Sequence, residues 1–230
     1  MILSKAYLGT TEVKKVYLGD TLVLNNSFDG TFEYNFDGNI TETTGNHQGT
    51  LTGTLTYVAG QGSGQAARFT GSQYIDIPAD ADLGVTDFTV AFWMRDPAIS
   101  GGYEAIIEGG RSTTSWKGVF KDGAVDNRLA FRWQNGGIAQ TNRTSTAFIS
   151  ANTWYHVIMT IDGTTARIYV DGVLDTEQTG ITLNAGSADS LRIGTNTSGS
   201  EGLTMDISNL QFWNTGKTPA EVATIYSNAQ

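Results

Sequence analysis

The feature that most constrains the fold is a strict two-residue alternation broken by Asp-Gly pairs. It is clearest in TWYHVIMTIDGTTARIYVDGVLD, residues 153–175, where Asp162-Gly163 and Asp171-Gly172 separate three strand-like runs. Asp-Gly favours tight hairpins because glycine accepts a positive φ. The pattern predicts an antiparallel meander and argues against a βαβ unit.

Two other segments show how many faces of the predicted strands are covered. In FTVAFWMR, residues 88–95, both alternating faces are largely apolar, which predicts a central strand buried on both sides. In RLAFRWQNGG, residues 128–137, Leu129, Phe131 and Trp133 share one face and polar residues take most of the other. This pattern predicts a half-exposed strand, so the chain reads as an all-β, two-sheet sandwich.

One helix is well marked, and it is the last element. In GKTPAEVATIYSN, Thr218 has the character of an N-cap, Pro219 suits the first helical position and Glu221 completes a capping box. Val222, Ile225 and Tyr226 then share one face. The spacing predicts about two helical turns packed through these three residues.

Composition excludes several classes of function. The 230 residues contain no cysteine, so there is neither a disulfide framework nor a thiolate metal site. The net charge of −9 disfavours binding to nucleic acid or to an anionic membrane surface, and no apolar run is long enough for a membrane helix. The start, MILSKAYLG, lacks the pattern of a signal peptide, so we expect synthesis in the cytoplasm without one.

A ten-residue repeat opens the chain. In AYLGTTEVKKVYLGDTLVL, residues 6–24, the phrase YLG-x-T-x-V occurs twice. The segment is too apolar to stay solvated and too short to form a core, so we expect it to dock on its own sandwich, on sister copies or on another protein. We therefore divide the chain into a small β-repeat arm over 1–26 and a sandwich over 27–230. The predicted anchor residues are Tyr7, Leu8, Val13, Val16, Tyr17, Leu18, Val23 and Leu24.

The larger segment resembles the laminin-G-like, concanavalin A-like jelly-roll family. The resemblance rests on the ordered series GQAARFTGSQYIDIP, FTVAFWMR, NTWYHVIMTIDGTTARIYVDGVLD and MDISNLQFWNTGKTPAEVATIY, and covers roughly 31–228. It implies a jelly roll of two curved antiparallel sheets with six or seven strands each. It also implies carbohydrate or protein binding, and a structural calcium ion in many members.

The opening repeat resembles the short repeats of bacteriophage virion proteins, often tail-associated. This resemblance implies a virion location, with residues 1–26 contacting other virion proteins and the protein forming a homo-oligomer on the particle. The sandwich would then face outward toward glycans or a host-surface receptor. A purely structural head-decoration protein, without sugar affinity, is the alternative.

A glycan-degrading enzyme is a third hypothesis, and the sequence disfavours it. Jelly-roll glucanases carry Glu-x-Asp-x-Glu along one strand, and that string is absent. The nearest same-face pair is Asp175 and Glu177, which reads as a solvated strand end. His156 lies between strand aromatics and is expected to be structural. We expect no catalytic residues.

Calcium is the cofactor that the family resemblance suggests. FDGNITE supplies oxygen ligands at Asp37, Asn39, Thr41 and Glu42. In the laminin-G-like pattern the first and last strands are neighbours, which would bring Asp37 near Asp206. The alternative is that Asp37 caps a turn and Asp206 accepts hydrogen bonds from backbone amides.

A sugar-binding surface needs exposed aromatic faces together with amide and guanidinium groups. The candidates are Tyr103, Arg111, Trp116, Arg132, Trp133 and Asn135. Trp116 is the stronger candidate for an exposed aromatic, because Trp133 lies on the same face of its strand as Leu129 and Phe131. The other tryptophans, Trp93, Trp154 and Trp213, match core positions of the family.

Overall fold

The computed structural model describes residues 6–8, 11–13, 15–18, 21–25, 28–62, 64–80, 83–99, 102–112, 115–122, 127–143, 149–183 and 189–230. For residues up to 25, and for Arg111, Ser112, Ser115, Arg143 and Asp189, the description covers the backbone alone. The chain forms two compact units, one within the first 30 residues and one from Thr31 to Gln230.

The first unit consists of two antiparallel hairpins: β1 (Ala6–Leu8) with β2 (Thr11–Val13), and β3 (Lys15–Leu18) with β4 (Thr21–Asn25). Leu8 pairs with Thr11 in the first hairpin, and Leu18 pairs with Thr21 ten residues later. Each copy of the sequence repeat is therefore one hairpin. The predicted anchor side chains of this unit lie outside the described side chains.

An eight-stranded antiparallel sheet forms one layer of the second unit. Its strands are β5 (Phe32–Tyr34), β7 (Thr56–Ala59), β8 (Gln65–Arg68), β10 (Phe88–Arg95), β15 (Trp154–Asp162), β16 (Thr165–Val170), β17 (Val173–Gln178) and β19 (Asp206–Trp213). They lie in the order β17-β16-β15-β10-β19-β8-β7, and β5 also pairs with β19. The pairing of β5 with β19 confirms that the first and last strands of the sandwich are neighbours.

A seven-stranded antiparallel sheet forms the other layer. Its strands are β6 (Thr50–Thr52), β9 (Tyr74–Asp80), β11 (Tyr103–Ser112), β12 (Ser115–Asp122), β13 (Arg128–Asn135), β14 (Ile138–Arg143) and β18 (Asp189–Ile193). They lie in the order β14-β13-β12-β11-β18-β9-β6. The family resemblance implied six or seven strands a sheet; the eighth strand of the larger sheet is the short β5, which shares β19 with β8.

The core lies between the two sheets. Alternate residues of β10, starting with Phe88, and of β13, starting with Leu129, point inward and are almost fully buried. Phe88 and Phe131 meet across the layers with ring centroids 5.8 Å apart. The structure is thus a two-sheet antiparallel sandwich, as the alternation predicted.

The meander of β15, β16 and β17 follows the Asp-Gly pairs. Asp171 and Gly172 both have positive φ, at 49° and 77°, as a tight hairpin turn between two twisted strands requires. The predicted hairpins are confirmed.

The C-terminal helix α1 (Pro219–Asn228) begins as predicted. Thr218 is its N-cap, and a reciprocal capping box joins the side chains and backbone amides of Thr218 and Glu221. The helix packs on the outer face of the eight-stranded sheet, where the Trp93 indole N–H donates to the Ala229 carbonyl at 3.2 Å. Within the described ranges, no helix has the length and apolar character that a membrane crossing requires.

Candidate functional site

A row of charged residues crosses the outer face of the seven-stranded sheet. Successive strand pairings place Arg132 opposite Gly118, Gly118 opposite Glu108, Glu108 opposite Arg192 and Arg192 opposite Asp76. Residues that are directly opposite in neighbouring strands lie on the same sheet face. We call Arg132, Glu108, Arg192 and Asp76 the charged row.

Three aromatic rings surround the Arg132 end of this row. The guanidinium carbon of Arg132 lies 4.3 Å from the ring centroid of Tyr103, 5.1 Å from that of Phe120 and 5.5 Å from that of Trp116. Such distances place the cation in favourable contact with aromatic faces. Tyr103 and Trp116 are half-buried, so part of each ring reaches the surface. We call Tyr103, Trp116 and Phe120 the aromatic cluster.

A β-bulge in β11 brings the two features together. The register of β11 with β12 shifts between Ala105 and Ile107. Because side chains alternate along a strand, Tyr103 and Glu108 would otherwise lie on opposite faces. The bulge inserts Ile106 into the core and leaves the side chains of Tyr103 and Glu108 on the outer face.

Glu108 is the most enclosed member of the charged row, with 5 % of its surface exposed. Burial raises the pKa of the Glu108 carboxyl, and the charge of Glu201 acts in the same direction, whereas hydrogen bonds from Thr197 and the charge of Arg132 oppose them. The Thr197 amide donates to Glu108 at 2.9 Å. Glu201 lies 3.8 Å from the Arg132 guanidinium, so a loop of residues 196–201 borders this face.

At the other end of the row, Arg192 is fixed in place. Its Nε and one terminal nitrogen donate to the two Asp76 oxygens at 2.8 and 3.2 Å, and its guanidinium lies over the Tyr74 ring at 4.3 Å. Its other terminal nitrogen donates to the carbonyls of Asn196 and Thr197. The face therefore combines preorganised guanidinium groups, carboxylates and aromatic rings. These groups can hydrogen-bond hydroxyls and stack on the apolar side of a ring-shaped ligand.

The structure brings together three of the six predicted sugar-binding residues: Tyr103, Trp116 and Arg132. Trp133 is 2 % exposed and stacks on Phe131, so the prediction that it is an exposed sugar-binding aromatic is wrong. Strand parity turns it into the core, as it does Leu129. Asn135 has the same parity as Trp133, and its side-chain amide donates to the Thr182 carbonyl at 3.4 Å, away from Arg132. The Arg111 side chain lies outside the described residues.

Sequence reasoning missed Glu108, Arg192, Asp76, Phe120 and Glu201. Strand alternation alone would place Glu108 and Tyr103 on opposite faces, because the bulge is not visible in the sequence. The rest of the row depends on pairings between residues more than 80 positions apart. A signal did exist for Phe120 in the alternation of WKGVF, where Trp116, Gly118 and Phe120 share one parity.

The residues proposed for calcium are engaged by hydrogen-bond donors. Asp206 is fully buried; Arg68 donates to both of its oxygens at 2.7 and 2.9 Å, and Arg95 donates to one of them at 2.9 Å. Asp37 is exposed and accepts a hydrogen bond from the Gln65 amide at 2.9 Å. Two guanidinium cations around Asp206 do not suit a calcium ion. Calcium at Asp37 and Asp206 stays a prediction that this geometry does not support.

Glu42, another candidate ligand from the same loop, has a structural role. Its oxygens accept hydrogen bonds from five backbone amides, those of residues 33, 44, 45, 46 and 47, and from the Thr44 hydroxyl. Burial would raise the pKa of Glu42, but these hydrogen bonds lower it overall. No group of three or more His, Asp and Glu side chains that could hold a metal occurs among the described residues.

The carboxylate pair considered for catalysis lies on the eight-stranded sheet. Glu177 accepts a hydrogen bond from Arg167 at 2.7 Å in strand β17, which lies at the end of the strand order. His156 is 1 % exposed between Trp93 and Tyr226, and burial lowers its pKa to about 4. His47 is also buried and packs on Phe32.

Comparison with solved structures finds the same fold in several binding domains. Domain 4 of a GH43 extracellular arabinanase from Geobacillus stearothermophilus, in complex with arabinotriose, has a TM-score of 0.71 and 22 % identity, over 87 % of this chain and 98 % of that one. The binding domain of Paraclostridial Mosquitocidal Protein 1 has a TM-score of 0.66 and 15 % identity, over 86 % of this chain and 51 % of the other.

A structure of botulinum neurotoxin type C, whose cell entry depends on two ganglioside molecules, has a TM-score of 0.63 and 13 % identity, over 86 % of this chain and 50 % of that one. The chain thus spans about half the length of these toxin structures. The sequence matches no curated protein. Residues 69–223 match the Concanavalin A-like lectin/glucanases superfamily. On that match, which covers most of the sandwich, the chain belongs to the concanavalin A-like lectin and glucanase superfamily.

Proposed function

We propose that the sandwich is a carbohydrate-binding domain whose ligand lies on the outer face of the seven-stranded sheet. The observation that carries this proposal is the packing of the Arg132 guanidinium among the aromatic cluster, beside the half-buried Trp116. A sugar ring can stack on the indole while its hydroxyl groups bond to Arg132 and Glu201. The arabinotriose complex of the arabinanase domain makes arabino-oligosaccharides the first ligands to test.

A glycan array and a calorimetric titration with arabino-oligosaccharides test this site. Trp116→Ala should weaken binding about tenfold or more, because truncation of an aromatic anchor removes well over 1 kcal/mol. Trp154→Ala is the matched control: Trp154 is also half-buried and also lies under an arginine, Arg95 at 4.8 Å, but on the eight-stranded sheet. Equal losses in the two variants would contradict the assignment.

We further propose that the protein is a bacteriophage virion component, attached to the particle through residues 1–26. The support is the repeat: each copy forms a hairpin with the same pairing of its innermost residues. Two-stranded hairpins are marginally stable alone, so a partner surface that covers them is expected. Removal of residues 1–24 should abolish incorporation into particles and leave sugar binding intact. Normal incorporation of the shortened chain would refute the anchor.

The head-decoration alternative predicts a different combination of results. A decoration protein would join particles normally and bind no glycan on the array. The two experiments are therefore independent, and each half of the proposal can fail alone.

We also propose that the domain binds without catalysing hydrolysis. Glu177, one of the two candidate carboxylates, forms an ion pair with Arg167, and the sequence lacks the Glu-x-Asp-x-Glu motif of the glucanases. Polysaccharide hydrolysis that disappears in Glu177→Gln or Asp175→Asn would overturn this.

A further inference from the structure

Three ionisable side chains meet in the interior at one end of the sandwich. Lys121 of β12 and Asp96, the residue after β10, are both 0 % exposed, and Glu104 of β11 is 4 % exposed. The Lys121 Nζ lies 2.5 Å from Asp96 Oδ2 and 3.1 Å from Glu104 Oε1. One amine and two carboxyl groups are therefore held together out of water.

Neighbouring groups fix the orientation of both carboxyl groups. The Ala98 amide donates to the other Asp96 oxygen at 3.0 Å. The Thr204 amide and hydroxyl donate to the other Glu104 oxygen at 2.7 and 2.8 Å. Each carboxyl thus directs its remaining oxygen at the Lys121 nitrogen. Groups held in the correct geometry react much faster than the same groups free in solution, because the reaction becomes intramolecular.

A buried ion pair gives little net stability, because both charges lose their hydration. Transfer of a proton from the ammonium to a carboxylate produces a neutral amine, which is a nucleophile, beside a carboxylic acid. We propose that the Lys121 Nζ and the Asp96 Cγ join in an intramolecular isopeptide bond, with Glu104 as the catalytic proton-transfer group.

The reaction balances without any further reagent. The Lys121 nitrogen attacks Asp96 Cγ, and the new C–N bond gives a tetrahedral intermediate. Glu104 accepts a proton from the nitrogen and delivers it to the departing oxygen, whose bond to Cγ then breaks. An ammonium and a carboxylate become one amide and one water molecule, and Glu104 ends in its starting protonation state.

The bond would join the two layers of the sandwich. Asp96 follows a strand of the eight-stranded sheet, whereas Lys121 belongs to the seven-stranded sheet. A covalent link between them would limit the freedom of the unfolded chain, as a disulfide does in other proteins. This chain contains no cysteine, so the isopeptide bond would supply that restraint without redox chemistry.

Intact-mass spectrometry of the denatured full chain tests the proposal. The expected mass is lower than the sequence mass by one water molecule, about 18 Da. A tryptic digest should contain residues 96–111 joined to residues 118–128, with no cleavage after Lys121. The full sequence mass, even after long incubation of the folded protein, would show a buried ion pair only and overturn the proposal.

Variants then identify each role. Lys121→Arg and Asp96→Ala should restore the unreduced mass, whereas Lys217→Arg, at a lysine that pairs with Glu221 beside the C-terminal helix, should keep the deficit. Glu104→Gln should slow or abolish bond formation in a chain that circular dichroism shows to be folded. A complete bond in this variant would remove Glu104 from the mechanism. The mass of the unaltered chain remains decisive even if a variant fails to fold.

Discussion

The outer faces of the two sheets differ in what lies against them. The C-terminal helix packs on the eight-stranded sheet, where His156 is enclosed by the rings of Trp93 and Tyr226, 4.9 and 5.5 Å away. The seven-stranded sheet instead carries the charged row and the aromatic cluster, in which Tyr103 and Trp116 are half-buried and Phe120 is fully buried. Both faces use arginine–aspartate pairs with aromatic rings beside them. In the described part of the chain, Arg95 of the first face lies over the ring of Trp154, whereas Arg132 of the second face lies among three rings. We propose that the first face serves stability and the second serves binding.

The largest expected difference between the faces comes from their aspartates. Asp206 is 0 % exposed between Arg68 and Arg95, whereas the Asp76 side chain, which holds Arg192, is 35 % exposed. Asp206→Ala should cost about 3 kcal/mol of unfolding free energy, since it leaves two cations beside a buried gap. Asp76→Ala should cost less, about 1–2 kcal/mol, because a single cation, Arg192, loses its partner and keeps its hydrogen bonds to the Asn196 and Thr197 carbonyls. Urea denaturation measures both, and equal costs would remove the distinction.

The outer face of the eight-stranded sheet, which the helix covers, should also make the stability of the fold depend on pH. Burial lowers the pKa of His156 from 6.5 to about 4, so this residue stays neutral in the folded chain while the unfolded chain takes up a proton. Its contribution is fully present above pH 6.5 and is lost as the pH falls toward 4, by about 3 kcal/mol in total. In His156→Phe, urea denaturation should show a shallower loss over this interval. If the unfolding free energy of His156→Phe fell with pH as steeply as that of the unaltered chain, the lowered pKa of His156 would be contradicted.

On the proposed binding face, Gly118 leaves space between Arg132 and Glu108. A Cβ at this position would approach the Ile107 carbonyl oxygen to 2.7 Å and the Phe120 ring to 2.8 Å. Gly118→Ala should therefore destabilise the fold by about 1–3 kcal/mol and displace Phe120 from Arg132. Thermal denaturation and sugar titration measure the two effects. Gln134→Ala, at a half-buried position of β13, is the control and should change stability little.

The smallest effect is expected from metal removal. Arg68 and Arg95 already neutralise Asp206, and backbone amides surround Glu42. A chelator should therefore leave the thermal midpoint unchanged, and added calcium should not raise it. A calcium-dependent rise would restore the predicted metal site and imply that Arg68 and Arg95 move aside.

Much of the fold could be predicted, because its signals are local. The Asp-Gly pairs set the turns of the meander, and Thr218 with Glu221 set the start of the helix. The candidate site was predicted only in part. Residue type and nearby turns predict Tyr103, Trp116 and Arg132 correctly, whereas the same criteria also predict Trp133, which strand parity places in the core.

What the sequence determined by itself was the class of structure: an antiparallel β-sandwich, one capped helix and a repeated pair of short strands. Those features depend on residues that are neighbours in the chain. Only the tertiary structure decided which charges meet. Arg192 and Asp76 are 116 positions apart, Arg68 and Asp206 are 138 apart, and a bulge in β11 sets the face on which Glu108 lies. Strand alternation assigns each residue to one of two faces, but the pairing of distant strands decides which side chains become its neighbours on that face.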